Sequence, residues 1–536
     1  MRLFGTREAA PRSTGRRSHN LRHRTAAAAV LAALSMAATA CGGGSGDSGD
    51  TGGTGGKPVD GGTLTLGVGL QLADFDPFNG INQNYVMDKT LYSYLITYDS
   101  KLQPHPDMAT SWEFAPDNAS VTIKLRTAEF ADGTPVTAND VVVGVQRALN
   151  PQTGLTQGGV ASFIRSATAV DDHTVRVDFN QPTTQDRVLD WMFYFPVVQA
   201  AKDDPTQLKT APAGSGPFVV DSFQPGNSLT LKRNPHYFGA KPHLDKVVYR
   251  FFDDQDAMVA ALQSGDVQGT VWQELRYDQQ LKGQYDLVDG SSSALTLLFY
   301  LNPQIAPFDD VDCRKAVMKA LDRQKILTAT QGTTGQIVPG PFPPTSPVYD
   351  KTLLKQNGFD LAAAKKGIAS SCSTTTATGV VQPSAGVSTA MTILQADLKQ
   401  AGFTLNLQNM DNASYIPALR TGKIAATMYP TVNPFRSPAS LATNRAFSGG
   451  AENYWWAGKG VPGDYVTALT AVQQAQTPEQ QKAAAAQFNQ ALLADSWATG
   501  MYTQIDRFAL GKDVHGFAFS PSDQLVLTGT WVSSGQ

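Results

Sequence analysis

The sequence predicts a large mixed α/β protein. Three observations carry this reading. Alternating apolar and polar residues mark strands along much of the chain. Capped helical stretches interleave with them. And 536 residues, 41% hydrophobic and 17% charged, describe a globular chain long enough for more than one domain. Past residue 40 no apolar run reaches the roughly 18 residues of a spanning helix. No fixed-period repeat is visible.

Gly62-Thr63-Leu64-Thr65-Leu66-Gly67 alternates and reads as the first strand. Val121-Thr122-Ile123-Lys124-Leu125 is a second. Thr137 and Asp140 resemble a capping box, after which Val141, Val145 and Ala148 line one helix face. Leu229-Thr230-Leu231 is another strand. Asp256 to Ser264 reads as a helix closed by Gly265, and Thr389 to Ala401 as a helix closed by Gly402. Phe403-Thr404-Leu405-Asn406-Leu407 follows as a strand. Thr477-Pro478-Glu479-Gln480 supplies an N-cap, a first-position proline and a reciprocal cap, opening a helix to about Ala494.

The formal net charge of -3 averages two unlike parts. Residues 1–40 hold seven arginines (2, 7, 12, 16, 17, 22 and 24) and one acid, Glu8. Without them the basic count falls from 43 to 36 and the acidic count from 46 to 45, a net charge of -9. An acidic body argues against a nucleic-acid surface, which needs a basic face.

Residues 1–40 read as a signal peptide: a charged stretch from Arg16 to Arg24, then the 16-residue run Thr25 to Ala40. Ala38-Thr39-Ala40 before Cys41 resembles a bacterial lipobox, with Ala38 in place of the usual leucine. Cys41 is thus expected to carry a diacylglycerol. The alternative is an ordinary signal with an accidental cysteine. Arg16-Arg17 also raises a twin-arginine signal, which its flanks fit poorly. Residues 42–56 hold nine glycines in fifteen positions, so 41–57 is expected to be a lipidated cysteine with a flexible leash. Cys313 and Cys372 remain, and outside the cytoplasm they are expected to form a disulfide, against two free buried thiols.

No HExxH, GxxxxGK[ST], strand-borne GxGxxG or GxSxG occurs. The body's histidines (105, 173, 236, 243 and 515) lack metal-ligand spacing. The acid pairs Asp309-Asp310 and Asp253-Asp254 read as helix caps rather than acid/base pairs. These absences remove positive support for an enzyme without excluding one; no catalysis, metal or cofactor is expected.

Four separated blocks carry a resemblance. Leu102 to Val143 holds Ser111-Trp112, Leu125-Arg126, Phe130, Asp132-Gly133, Pro135, Thr137-Ala138 and Asp140-Val141 in one register. Gly214-Ser215-Gly216-Pro217-Phe218 and Leu231-Lys232-Arg233-Asn234-Pro235-His236-Tyr237-Phe238 form the second block. Ala261 to Gln268 is the third, with Gln268 where an aspartate is usual. Leu301 to Ile326 is the fourth, with Asn302, Pro307-Phe308-Asp309-Asp310-Val311, Arg314-Lys315-Ala316 and Ala320-Leu321-Asp322-Arg323. Gln395 to Gly402 adds a weaker fifth. The set resembles the peptide/nickel-type solute-binding proteins of ABC transporters, extracellular solute-binding family 5.

The resemblance implies a two-lobed periplasmic-binding-protein fold of type II, with discontinuous lobes and a hinge cleft. One lobe would join 58–97, 213–294 and 499–536. Segment 98–212 would be an inserted extra domain on it. The other lobe would be 295–498, with crossings near Ser293 and Trp497. Ligand would lie between the lobes, and closure would follow hinge bending.

By the same resemblance, ligand contacts come from three stretches. The N-terminal loop offers Asn82, Gln83 and Tyr85. The strand after the third block offers Trp272. Met428 to Asn433 offers Tyr429 and Asn433. The acid that holds a peptide's α-amino group is missing there, with Val432 or Asn433 in its place. Glu452-Asn453-Tyr454-Trp455-Trp456 adds aromatics beside an acid, so Glu452, Tyr454, Trp455 and Trp456 are candidates, Glu452 as a substitute amine partner. Trp497 and Tyr502 lie near the second expected crossing and complete the set. The expected function is a monomeric, lipid-anchored receptor on the outer face of the membrane. It would take a peptide or similar polar solute to an ABC permease and its ATPase. A sugar, nickel-chelate or opine ligand, or a sensing or adhesion ectodomain, are the alternatives; a secreted hydrolase is a distant one.

Overall fold

The computed structural model describes residues 56–536 apart from 70–71, 73, 80–84, 154, 156, 292–294, 383–384, 433–434, 443–446, 448–452, 454, 457–459 and 534–536. Cys41, Asn82, Gln83, Asn433, Glu452 and Tyr454 lie outside the described residues, as do the leader and most of the glycine leash.

Thr63–Val68 is the centre of a seven-stranded sheet. It runs parallel to Lys246–Phe251 on one side and to Gly269–Gln273 on the other. Leu64, Leu66 and Val68 are fully buried, as a central strand requires. Beyond Gly269–Gln273 lie Arg507–Leu510 and then Asp286–Asp289; beyond Lys246–Phe251 lie Ser228–Arg233 and Phe218–Gln224. The sheet therefore draws strands from three distant stretches of chain.

Segment 98–212 carries a four-stranded antiparallel sheet in the order Ala109–Phe114, Ser120–Leu125, Thr174–Phe179, Ile164–Asp171. The Asp132-Gly133 turn uses the left-handed backbone of Gly133 (φ +81°), and the Thr134 amide donates to Asp132 at 3.0 Å. Helix Ala138–Leu149 follows, with the Thr137/Asp140 capping box in place. Its apolar face joins one core with the seven-stranded sheet.

A second sheet has the order Thr404–Asn409, Thr376–Val381, Ala426–Val432, Leu295–Leu301, Ala498–Gln504. Leu295–Leu301 is apolar almost throughout because both its faces are covered. Leu297, Phe299 and Leu301 enter one core, and Leu298 and Tyr300 enter another. Helices Ala385–Gln400 and Pro478–Asp495 carry side chains into these two cores. The disulfide Cys313–Cys372 ties helix Val311–Met318 to the end of helix Leu361–Ser371, with Cα atoms 4.8 Å apart. Asp310 and Asp254 cap their helices, Asp310 accepting from the Asp312 and Cys313 amides and Asp254 from the Ala257 amide.

One boundary needs correction. The sequence places the return to the first lobe at residue 499. Ala498–Gln504 instead pairs with Leu295–Leu301, so the return comes after Gln504. Arg323 reinforces this placement. Its buried guanidinium donates to the Gly500 carbonyl, the Thr499 hydroxyl and the Asn357 carbonyl, each at 2.8 Å. The two crossover stretches lie side by side, with Gly290 N donating to the Asp506 carbonyl at 2.7 Å; Ser291 N donates to the Asp523 carboxylate of the C-terminal stretch at 2.6 Å.

Candidate functional site

Helix Gln255–Ser264 ends at Gly265, which takes the left-handed conformation (φ +80°) and turns the chain into strand Gly269–Gln273. Gly269 leaves room there: a Cβ would come within 2.9 Å of both the Leu66 and Leu510 side chains, which would have to shift. Pairing with Arg507–Leu510 then shifts register between Thr270 and Gln273. This irregularity puts Trp272 at φ +58°, a conformation side chains adopt at a cost. The Gln255 amide donates to the Trp272 carbonyl at 3.3 Å. The indole is half-buried against the first core. Its Nε1 is buried without a hydrogen-bond partner among the described residues, as are those of Trp455, Trp456 and Trp497.

Tyr429 comes from the other sheet. It lies on Ala426–Val432 opposite Leu298, half-buried, with its ring 6.0 Å from and nearly parallel to that of Tyr415. Trp456 is also half-buried, against the same core.

The remaining described candidates are buried. Trp455 stacks on Tyr300 at 4.3 Å, and Trp497 packs with Tyr300, Phe447 and Tyr465. Both are fully inside the second lobe's core. Tyr502 is buried in the other core of that lobe, and burial pushes its phenol up to about 12. These three are corrected from cleft walls to core. Large aromatics bury enough surface to serve either role, and their position here assigns the core. Tyr85 is also buried, its phenol raised by desolvation beside Ser522 and Tyr194.

The structure adds residues that no sequence pattern marked. Phe435 packs against the first lobe's core and against the second lobe's core at once. Its ring is 5.1 Å from Tyr194, on helix Gln185–Tyr194 of the inserted segment. Among the described residues no group of three or more His, Cys, Asp or Glu is placed to share a metal ion.

Residues 103–500 match the family of bacterial extracellular solute-binding proteins, family 5 Middle. The probable D,D-dipeptide-binding periplasmic protein DdpA of Escherichia coli K12 is 26% identical over 496 residues, which cover 85% of this chain and 92% of that one. Two solved structures share the fold. DppA of Helicobacter pylori, in complex with the peptide STSA, superposes with a TM-score of 0.78 at 18% identity, covering 89% of this chain and 99% of that one. MoaA of A. tumefaciens R10, in complex with mannopinic acid, gives 0.79 at 24% identity over 88% and 99%. The two-lobed architecture, the motif blocks in order and the match across most of the chain agree: the chain belongs to the bacterial extracellular solute-binding proteins of family 5.

Proposed function

We propose that the protein captures a peptide between its two lobes outside the cytoplasm and delivers it to a membrane permease. The observation that carries this reading is the alignment with a relative named for dipeptide binding, over 92% of that relative's length. We assign Trp272, from the first lobe, and Tyr429 and Trp456, from the second, as half-buried aromatics that contact the solute. Asn82, Gln83, Asn433, Glu452 and Tyr454 are assigned to the same site from their places in the family pattern. Where that pattern has an amine-binding carboxylate this chain has Val432 or Asn433, so Glu452 is assigned to the peptide's ammonium.

Closure around the solute shifts a population of lobe arrangements, and the permease, with its separate ATPase chain, reads the closed one. The protein acts by binding, not by catalysis. A diacylglyceryl group on Cys41 and the leash 42–57 would hold one monomer near its permease, since stable anchoring takes more than one acyl chain.

Native mass spectrometry of the protein as purified tests the reading. Co-purified peptide masses are expected. An opine or oligosaccharide found alone, with no peptide bound from a defined peptide library, overturns it.

A further inference from the structure

Helix Gln185–Tyr194 belongs to the inserted segment, which shares its core with the first lobe. Asp190, in its last two turns, is fully buried. A lone carboxylate in such a place is strongly unfavourable unless donors surround it. Four donors do. Oδ1 accepts from the Tyr98 hydroxyl at 3.0 Å and from Arg436 N at 2.8 Å. Oδ2 accepts from Ser437 N at 2.9 Å and from the Ser440 hydroxyl at 2.7 Å. Three of the four donors come from the second lobe, past the strand that holds Tyr429: the Arg436 and Ser437 amides just before helix Pro438–Ala442, and the Ser440 hydroxyl within it.

The contact is reinforced on both sides. Arg436 Nε donates to Asp186 at 2.9 Å, and its Nη1 donates to the Leu102 carbonyl. Gln476 Nε2 reaches the Pro182 carbonyl at 3.2 Å, and Arg187 Nη1 the Gln473 carbonyl at 3.4 Å. Phe435 lies against Tyr194 beside them. Even with four donors, burial pushes the Asp190 carboxyl up to about 7. Separating the two surfaces would return the carboxylate to water and leave the amides of Arg436 and Ser437 without their acceptor.

We propose that Asp190 is an interlobe latch: a positioning residue on the inserted segment that holds the second lobe's segment 435–440, at the start of helix Pro438–Ala442, and so the strand bearing Tyr429, in the ligand-capturing arrangement. The inserted segment is then a working jaw of the cleft. The link to capture rests on the proposed function; the latch itself can be read without any ligand.

Hydrogen exchange on the ligand-free full chain reads it directly. In Asp190→Ala the amides of Arg436 and Ser437 should exchange at least about tenfold faster. Amides of the four-stranded sheet should be unaltered, and small-angle scattering should give a larger radius of gyration. Asp190→Asn keeps the shape and one acceptor oxygen. It should give a smaller rise, and it decides the matter if the alanine variant does not fold. Calorimetry with the synthetic tetrapeptide Ser-Thr-Ser-Ala supplies a second arm, in which the asparagine variant should bind about tenfold more weakly than wild type. Unchanged exchange at 436 and 437 overturns the latch. Faster exchange with unchanged peptide affinity overturns its positioning role. If wild type does not bind this peptide, that result counts against the peptide reading alone, and exchange with scattering still decides the latch.

Discussion

Trp272 carries a local cost that its neighbours do not. At φ +58° a side chain costs about 1 kcal/mol relative to the ordinary regions. Glycine would not incur that cost, so the usual order of alanine over glycine should reverse here. Trp272→Gly is expected to be about 1 kcal/mol more stable than Trp272→Ala in thermal unfolding. Both should weaken solute binding by at least about tenfold, about 1.4 kcal/mol. Unchanged affinity removes Trp272 from the site. The resemblance marks this tryptophan as an aromatic on the strand after the third block. It does not mark the dihedral, because the register shift that sets it arises from pairing with Arg507, far along the chain. Nor does it separate Trp272 from Trp455 and Trp497: all three are large aromatics, and only packing divides core from surface.

At the scale of elements, helix ends were legible because a cap is a contact between residues three or four positions apart. Thr137 with Asp140, Thr477 with Gln480, and Gly265 all stand where the spacing predicted. Asp140 does more than a local pattern can reveal. Its Oδ2 accepts from Thr137 N at 2.7 Å, while its Oδ1 accepts from Ala200 N at 2.7 Å, sixty residues away. Asp140→Ala should therefore cost about 2–3 kcal/mol, against about 1 kcal/mol for Thr477→Ala, whose cap is exposed. Denaturant titration compares them, and equal losses would refute the double role. Strand Ala498–Gln504 shows the opposite case. Its residues are nearly all buried, so it lacks the alternation that would assign it to a sheet face, and its pairing with Leu295–Leu301 decides its lobe.

At the scale of the whole molecule, the second lobe is stapled by Cys313–Cys372, which closes a loop of 59 residues in sequence separation. Restricting such a loop in the unfolded chain stabilises by about 4 kcal/mol. The double variant Cys313→Ser/Cys372→Ser should lose about 3–4 kcal/mol, seen by calorimetry as a lower melting temperature; an unshifted transition would contradict this. The α/β class, the helix caps, the family blocks and the places where strands begin are all legible along the chain. Each of these rests on residues within a few positions of one another, or on a pattern repeated along the chain. Which aromatics are core, where the chain returns to its first lobe, and that Asp190 meets Ser437 across 247 positions emerge with folding. The reason is physical: burial and cross-lobe hydrogen bonding are properties of surfaces brought together by folding, and no short window of sequence contains both sides of such a contact.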